Sequence, residues 1–249
     1  MSASKPTIVI VPGAWQLTSC FAPFADLLKS KGFDNEVVDM PSVGGTQLPL
    51  TGLPEDVAAV RAVVQPLVAA GKEVVLLAHS AGGISGGGAV KGLDLKTRQQ
   101  AGLPGGVVRM IYMTAFMVPK GSSLLQMLGG QPPPWMVVDG DRITVDPDVV
   151  QELGYSDLPP EERQKWSREM THTSAALFAG ASEYEPWKDG VPCAYILTED
   201  DGALPYALQQ QMAAQLSPEE PKILIKANHS PYLSVPAELL TAIEKILAA

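Results

Sequence analysis

Val74–Gly83 reads VVLLAHSAGG, an apolar run that ends on a serine framed by very small side chains. Val74 to Ala78 holds no polar residue, which suits a strand covered on both faces of a parallel sheet. Gly82 and Gly83 follow at once, and Gly86, Gly87 and Gly88 continue a glycine-rich segment able to lie close to the sheet. A strand, a sharp turn and a helix therefore meet at Ser80. Such a turn lifts a serine hydroxyl clear of the carboxyl edge of the sheet, where open α/β sheets place their ligands. It tolerates little side chain two residues before and two residues after the serine, because neighbouring backbones crowd those positions. Gly82 meets that demand fully, and Ala78 meets it with one methyl where glycine is usual.

The rest of the chain supplies the sheet. Thr7–Val11 (TIVIV) reads as a first strand, Glu36–Asp39 as a second, Glu73–Ala78 as the third and Val107–Met113 as a fourth. Cys193–Thr198 (CAYILT) and Lys222–Ala227 (KILIKA) follow much later. Helical patterns lie between them over Cys20–Lys31 and over Pro54–Ala70, the latter with proline in its first turn. Alternating β and α segments predict a doubly wound, mostly parallel α/β sheet. Between Phe116 and Gly190 no strong strand signal occurs, and a structureless loop of that length is improbable. The expectation is a core of residues 1–115 and 191–249 with a helical cap inserted at 116–190.

The 249 residues carry a net charge of -9 and a sequence pI near 4.8. That balance disfavours nucleic acid and anionic membrane surfaces as partners. The densest basic stretch, Lys91 to Arg98, is interrupted by Asp94. No apolar run approaches the ~18 residues of a membrane-crossing helix. The two cysteines do not make a disulfide framework, and the N-terminus lacks a signal-peptide pattern, so a reducing, cytoplasmic setting is expected. The glycines around Ser80 do not fall as G-x-G-x-x-G. The Tyr184…Lys188 pair, spaced as in some dehydrogenases, is split by Pro186, which would break the helix such a pair needs. No dinucleotide, other cofactor or metal is expected.

A serine hydroxyl needs a base, and the chain offers three histidines. His79 is tied to the turn itself and should point away from its neighbour. His172 lies in the insertion, where it could line a pocket. His229, in KANHSPYL directly after the last strand, falls on the same sheet edge as Ser80. A carboxylate must then orient the base, and Glu199, Asp200 and Asp201 stand in a row after the penultimate strand. Donors for an oxyanion would be the amide of Ala81 and one from the VPGAW turn, Ala14 or alternatively Trp15; Pro12 has none to give.

Serine, acid and histidine in that chain order, each on a loop at a strand end, resemble the α/β-hydrolase superfamily. The likeness is to the small esterase-like branch that includes plant methylesterases and hydroxynitrile lyases. It runs through VPGAW, FAPFADLLKSKGF, LLAHSAGG, ILTEDDGALP and NHSPYLSVPAEL, and fades across the insertion. The resemblance implies Ser80 as nucleophile, His229 as base, Asp201 as acid (Asp200 one residue aside), and Ala14 with Ala81 as oxyanion donors. It departs in having Pro12-Gly13 where His-Gly is common. The position after His229 is Ser230, where cyanohydrin-cleaving members keep a lysine.

These features imply a serine hydrolase that cleaves a neutral, fairly apolar carboxylic ester or lactone through an acyl-enzyme. Trp15, Phe116, Met117, Trp135 and His172 are the expected pocket residues, with Leu125, Met127, Leu128 and Met136 as further candidates; Arg142, Arg163 and Arg168 read as surface positions. Two alternatives use the same scaffold: a lyase, decarboxylase or cyclase of small-molecule metabolism, and a small-molecule binding or receptor module. The expected partner is a small molecule, and the apolar cap offers a face for a homodimer that the pattern does not require.

Overall fold

The computed structural model describes residues 5–249. In chain order, β1 (Thr7–Val11) leads through a 3-10 turn at Thr18–Phe21 into α1 (Ala22–Ser30) and β2 (Asn35–Val37). Then come α2 (Leu53–Ala69), β3 (Glu73–Ser80), α3 (Gly82–Ala89), α4 (Leu95–Gln100) and β4 (Gly106–Ala115). The insertion holds α5 (Leu124–Met127), β5 (Met136–Asp139), β6 (Arg142–Val145), α6 (Pro147–Gly154), α7 (Pro160–Glu169), β7 (Thr173–Ser174) and α8 (Ala175–Ala179). The chain closes with β8 (Cys193–Thr198), α9 (Tyr206–Ala213), β9 (Lys222–Ile225), α10 (Pro231–Ser234) and α11 (Pro236–Ala248).

Six strands form one parallel sheet in the order β2-β1-β3-β4-β8-β9. Because side chains alternate along a strand, each central strand feeds two cores. Val9, Val11, Val74, Leu76 and Ala78 belong to one, which also takes buried residues of α2 and α3. Ile8, Ile10, Val75 and Leu77 belong to the other, with buried residues of α1 and α11. Burial on both faces explains why these strands read as continuous apolar runs. β3 runs two residues beyond its apolar stretch: His79 pairs with Met113 and Ser80 with Ala115, with an irregularity in register between them. The sheet therefore delivers Ser80 to its carboxyl edge on a strand end that departs from regular pairing.

The insertion, expected as a helical cap, holds four helices but also a small sheet that the expectation lacked. β5, β6 and β7 make a three-stranded antiparallel sheet in that order. Asp139 pairs with Arg142, so Gly140-Asp141 is a two-residue hairpin turn with Gly140 at φ +55°. A Gly-Asp pair between MVVD and RITV is a hairpin signal.

The cap root is stitched to the core at two places. Ser174 N–H donates to Ser42 O at 2.8 Å. Ser42 is held in turn by the fully buried Asp56 of α2, which accepts from its N–H (2.9 Å) and Oγ–H (2.7 Å). Burial pushes the Asp56 carboxyl up to about 6, although both Ser42 bonds favour its charge. The second stitch is Trp15, whose N–H donates to Thr173 Oγ1 (2.6 Å) and whose indole N–H donates to Ile143 O (2.9 Å). Among the described residues no helix is long and apolar enough to cross a membrane.

Candidate active site

Ser80 sits at φ +53°, in the left-handed region that residues with a Cβ rarely adopt. Only Trp15 (φ +66°) and Thr114 (φ +38°) share that sign among the described non-glycine residues. Both belong to the same neighbourhood, as backbone strain at functional sites leads one to expect. The turn is closed by backbone contact. A Cβ on Gly82 would lie 2.4 Å from Pro12 O, one on Gly83 2.3 Å from Phe116 O, and one on Gly13 2.8 Å from Ser80 Cβ. Ala78, between Val11 and Tyr112 in the sheet, is the position that carries a methyl where glycine is usual. It faces Gly86, where an added Cβ would meet Ala78 Cβ at 3.4 Å, so one methyl fits because α3 carries glycine opposite it.

Ala78→Gly should therefore leave turnover within about twofold. Ala78→Val should push α3 off the sheet, with a loss of about 1–3 kcal/mol of stability and a clear fall in turnover. Thermal melts and initial rates on the two variants check this, and a fully active, unperturbed valine variant would show that the turn has slack.

His229 follows β9, and its Nδ1 lies 2.8 Å from Asp201 Oδ2. Asp201 is buried, whereas Asp200 and Glu199 are exposed, so geometry separates the three acids. Oδ2 also accepts from Thr114 Oγ1 (2.5 Å), Thr198 Oγ1 (3.0 Å) and Gln209 Nε2 (3.3 Å). Oδ1 accepts the N–H groups of Ala203 (2.9 Å) and Leu204 (2.7 Å). Burial opposes the Asp201 charge, but the His229 charge and the hydrogen bonds from His229, Leu204 and Thr114 outweigh it, holding the carboxyl below its ordinary value.

Of the two amides weighed in the VPGAW turn, that of Trp15 already donates to Thr173 Oγ1. Ala14, Ser80, Ala81 and His229 all open onto one cavity of about 630 Å³, a volume that includes its mouth. Trp15, Phe116, Trp135 and Phe178 dominate its wall. Trp15 packs edge-on to Trp135 (centroids 5.8 Å apart) and tilted against Phe178 (5.6 Å). No lysine, arginine, aspartate or glutamate lines it.

A model of the alpha/beta hydrolase family matches residues 8–242. The chain belongs to that family. It is 30% identical over 235 residues to Alpha/beta hydrolase nvfD of Aspergillus novofumigatus, covering 93% of this chain and 92% of that one. It is 25% identical over 253 residues to a Pyrethroid hydrolase of Sphingobium wenxiniae, covering 95% and 85%. The solved structure of the Arabidopsis methylesterase MES16 superposes with a TM-score of 0.75 at 21% identity, over 98% of this chain and 99% of that one, a likeness of fold.

In this hydrolase the expected pocket residues divide. Trp15, Phe116, Trp135, Leu128 and Met136 line the cavity. Met117 does not: it is fully buried, and its N–H meets Met212 Sδ at 3.3 Å. His172 also lies outside the wall, its Nε2 2.8 Å from Gly45 O and 3.4 Å from Arg142 Nε, so it serves the cap root. Arg163 is not a free surface residue either, since it donates to Leu158 O and Ser156 O within the cap. Gln16, Tyr155, Phe178 and Leu204 line the cavity without having been anticipated. Gln16 follows the VPGAW turn directly, so its closeness to that motif was the signal available. Leu204 stands three residues beyond Asp201 in the acid loop, a signal of the same kind. Tyr155 and Phe178 offered none, being set by how the cap folds over. Neither thiol is poised to act as a nucleophile. Cys20 and Cys193 are buried, and burial raises both, Cys20 to about 11, which suppresses the thiolate.

Proposed function

We propose that the protein is a serine hydrolase of neutral, apolar carboxylic esters or lactones, working through Ser80, His229 and Asp201. The observation that carries this is the strained Ser80 opening onto the same cavity as a His229 whose Nδ1 is paired with buried Asp201. Asp201 keeps the Nδ1 proton in place, so Nε2 is the free base. His229 takes the Ser80 proton as Oγ attacks the substrate carbonyl, and the Ala14 and Ala81 amides receive the oxyanion. Collapse of the adduct expels the alkoxide, which takes the proton from His229. Water then gives a proton to His229, attacks the acyl-serine, and the acid leaves as Oγ regains its proton.

The substrate class rests on the wall. A wall of mainly apolar residues without a lysine, arginine, aspartate or glutamate gives no partner to a substrate ion. The Sphingobium relative supports the class, since pyrethroid hydrolysis acts on neutral, apolar esters. Ser230 lines the wall after His229, so no lysine stands there to receive a departing cyanide, which speaks against a cyanohydrin lyase.

A fluorophosphonate probe should label the intact protein on Ser80. A panel of p-nitrophenyl esters should favour apolar acyl groups over carboxylate-bearing ones by ~100-fold or more in kcat/KM. Neither labelling nor turnover across the panel would refute the reading. A preference for the charged esters would retain the hydrolase and discard the substrate class.

A further inference from the structure

Behind Ser80 runs a line of polar groups that the acyl-transfer scheme leaves unused. His79 is fully buried. Its Nε2 lies 2.8 Å from the backbone carbonyl of His229, and its Nδ1 lies 2.8 Å from the Gln16 side-chain amide. The far end of that amide meets the Tyr232 hydroxyl at 2.5 Å. Phe21 and Tyr232 stack at 4.1 Å and present edges to the His79 ring, which closes the sides.

Counting protons fixes the roles. A carbonyl only accepts, so Nε2 must carry hydrogen. Protonating Nδ1 as well would bury a second positive charge with its ring centroid 4.7 Å from that of His229, the group that must itself become cationic. Burial, and then His229, drive the His79 imidazole down to about 3, so it is neutral at working pH. Nδ1 is then an acceptor, and the Gln16 –NH₂ must face it. The structure sets Gln16 Oε1 against Nδ1 and Gln16 Nε2 against the Tyr232 hydroxyl; the proton count requires the flipped amide, whose –NH₂ donates to Nδ1 and whose oxygen accepts from Tyr232 O–H.

We propose that His79 is a positioning residue. Neutral and protonated on Nε2, it grips the carbonyl of His229, and Gln16 fixes that tautomer, so the base is held toward Ser80 with no rival charge beside it. This rests on the Ser80–His229–Asp201 reading for its catalytic consequence, though not for its structure. The ionisable groups that face His79 are His229, Asp201 and Tyr232, with Tyr155 reaching the far side of Gln16.

Nitrogen-15 NMR of the three histidines tests it without substrate. One imidazole, absent from the His79→Gln spectrum, should hold the Nε2–H tautomer and not titrate between about pH 5 and 9. Gln16→Glu, whose carboxylate can only accept, should move the proton to Nδ1 or bring His79 into that range. A wild-type His79 that titrates there, or is protonated on Nδ1, overturns the proposal.

Kinetics on a p-nitrophenyl ester supply the second arm. His79→Leu removes the donor to His229 O and should lower kcat ~10- to 100-fold with KM within about twofold. His79→Gln, which can place an amide N–H near the former Nε2, should recover most of that loss. Equal losses in both variants, or none in leucine, would count against positioning. Fluorophosphonate labelling of the wild type decides the hydrolase reading separately.

Discussion

Ser80→Ala is expected to abolish fluorophosphonate labelling and lower kcat by ~10⁶-fold, and Asp201→Asn by ~10⁴-fold, on the same p-nitrophenyl ester. The gap follows from the proposed mechanism, in which Ser80 supplies the atom that bonds to the acyl group and Asp201 only sets the base. Six donors converge on Asp201, four on Oδ2 and two backbone N–H groups on Oδ1. An asparagine must turn its –NH₂ toward one set. Against the N–H groups of Ala203 and Leu204 it finds donors that cannot rotate. On the other side, the hydroxyls of Thr114 and Thr198 can turn, and His229 can give up its Nδ1 proton. The second arrangement is cheaper, and it leaves hydrogen on Nε2, where the base needs a lone pair.

Stability carries a second signature of the same residue. Because the Asp201 carboxyl is held below its ordinary value in the folded protein, its contribution is present above the usual carboxylate range. It disappears as pH falls through the folded value. Asp201→Asn should therefore melt lower near neutrality and lose less on acidification than the wild type. Asp200→Asn, at an exposed carboxylate, should stay within about twofold of wild-type kcat. If the two variants behaved alike, Asp201 would not be the orienting acid.

The parts of this site that could be read from sequence are those for which a single local rule decides the residue. Val74–Ala78 is apolar because both faces of β3 are covered, and Gly82 is glycine because the β1 backbone stands against it. The acid and base loops follow strand ends, so their edge was readable once the strands were. Choosing Asp201 over Asp200 by periodicity was not feasible, because adjacent loop residues obey no period; burial beneath Thr114 and Gln209 makes the choice. The small sheet in the cap went unread because β5 and β6 are only four residues each, joined by a two-residue turn, too short to give a strong strand signal. His172 and Met117 looked like pocket residues because their types suit one. Their orientation depends on contacts with Gly45 and Met212, far away in the chain.

Gly82→Ala is the other substitution expected to do large damage, through the backbone alone. Its Cβ would lie 2.4 Å from Pro12 O and 2.5 Å from Val11 O, and neither carbonyl has a rotamer to retreat into. Relief requires the end of β1 and the start of α3 to separate. That movement drags Pro12-Gly13-Ala14 with it, and Gly13 already packs close enough to Ser80 that its own Cβ would stand 2.8 Å from Ser80 Cβ. Ala14 and Ser80, the proposed oxyanion donor and nucleophile, would shift relative to each other, although no side chain of the site has changed. The expected outcome is a loss of about 3 kcal/mol of stability and of ~10²- to 10³-fold in kcat, the scale of losing one oxyanion donor. Gly32→Ala is the matched control. Gly32 sits at φ +80°, and a Cβ there would meet nothing within 4 Å, so alanine brings left-handed strain of about 1–2 kcal/mol and no crowding. It should lower the melting temperature while leaving kcat intact, which separates strain at a turn from crowding at the site. A Gly82→Ala protein with wild-type turnover would mean that the contact between β1 and α3 does not set the geometry of Ser80.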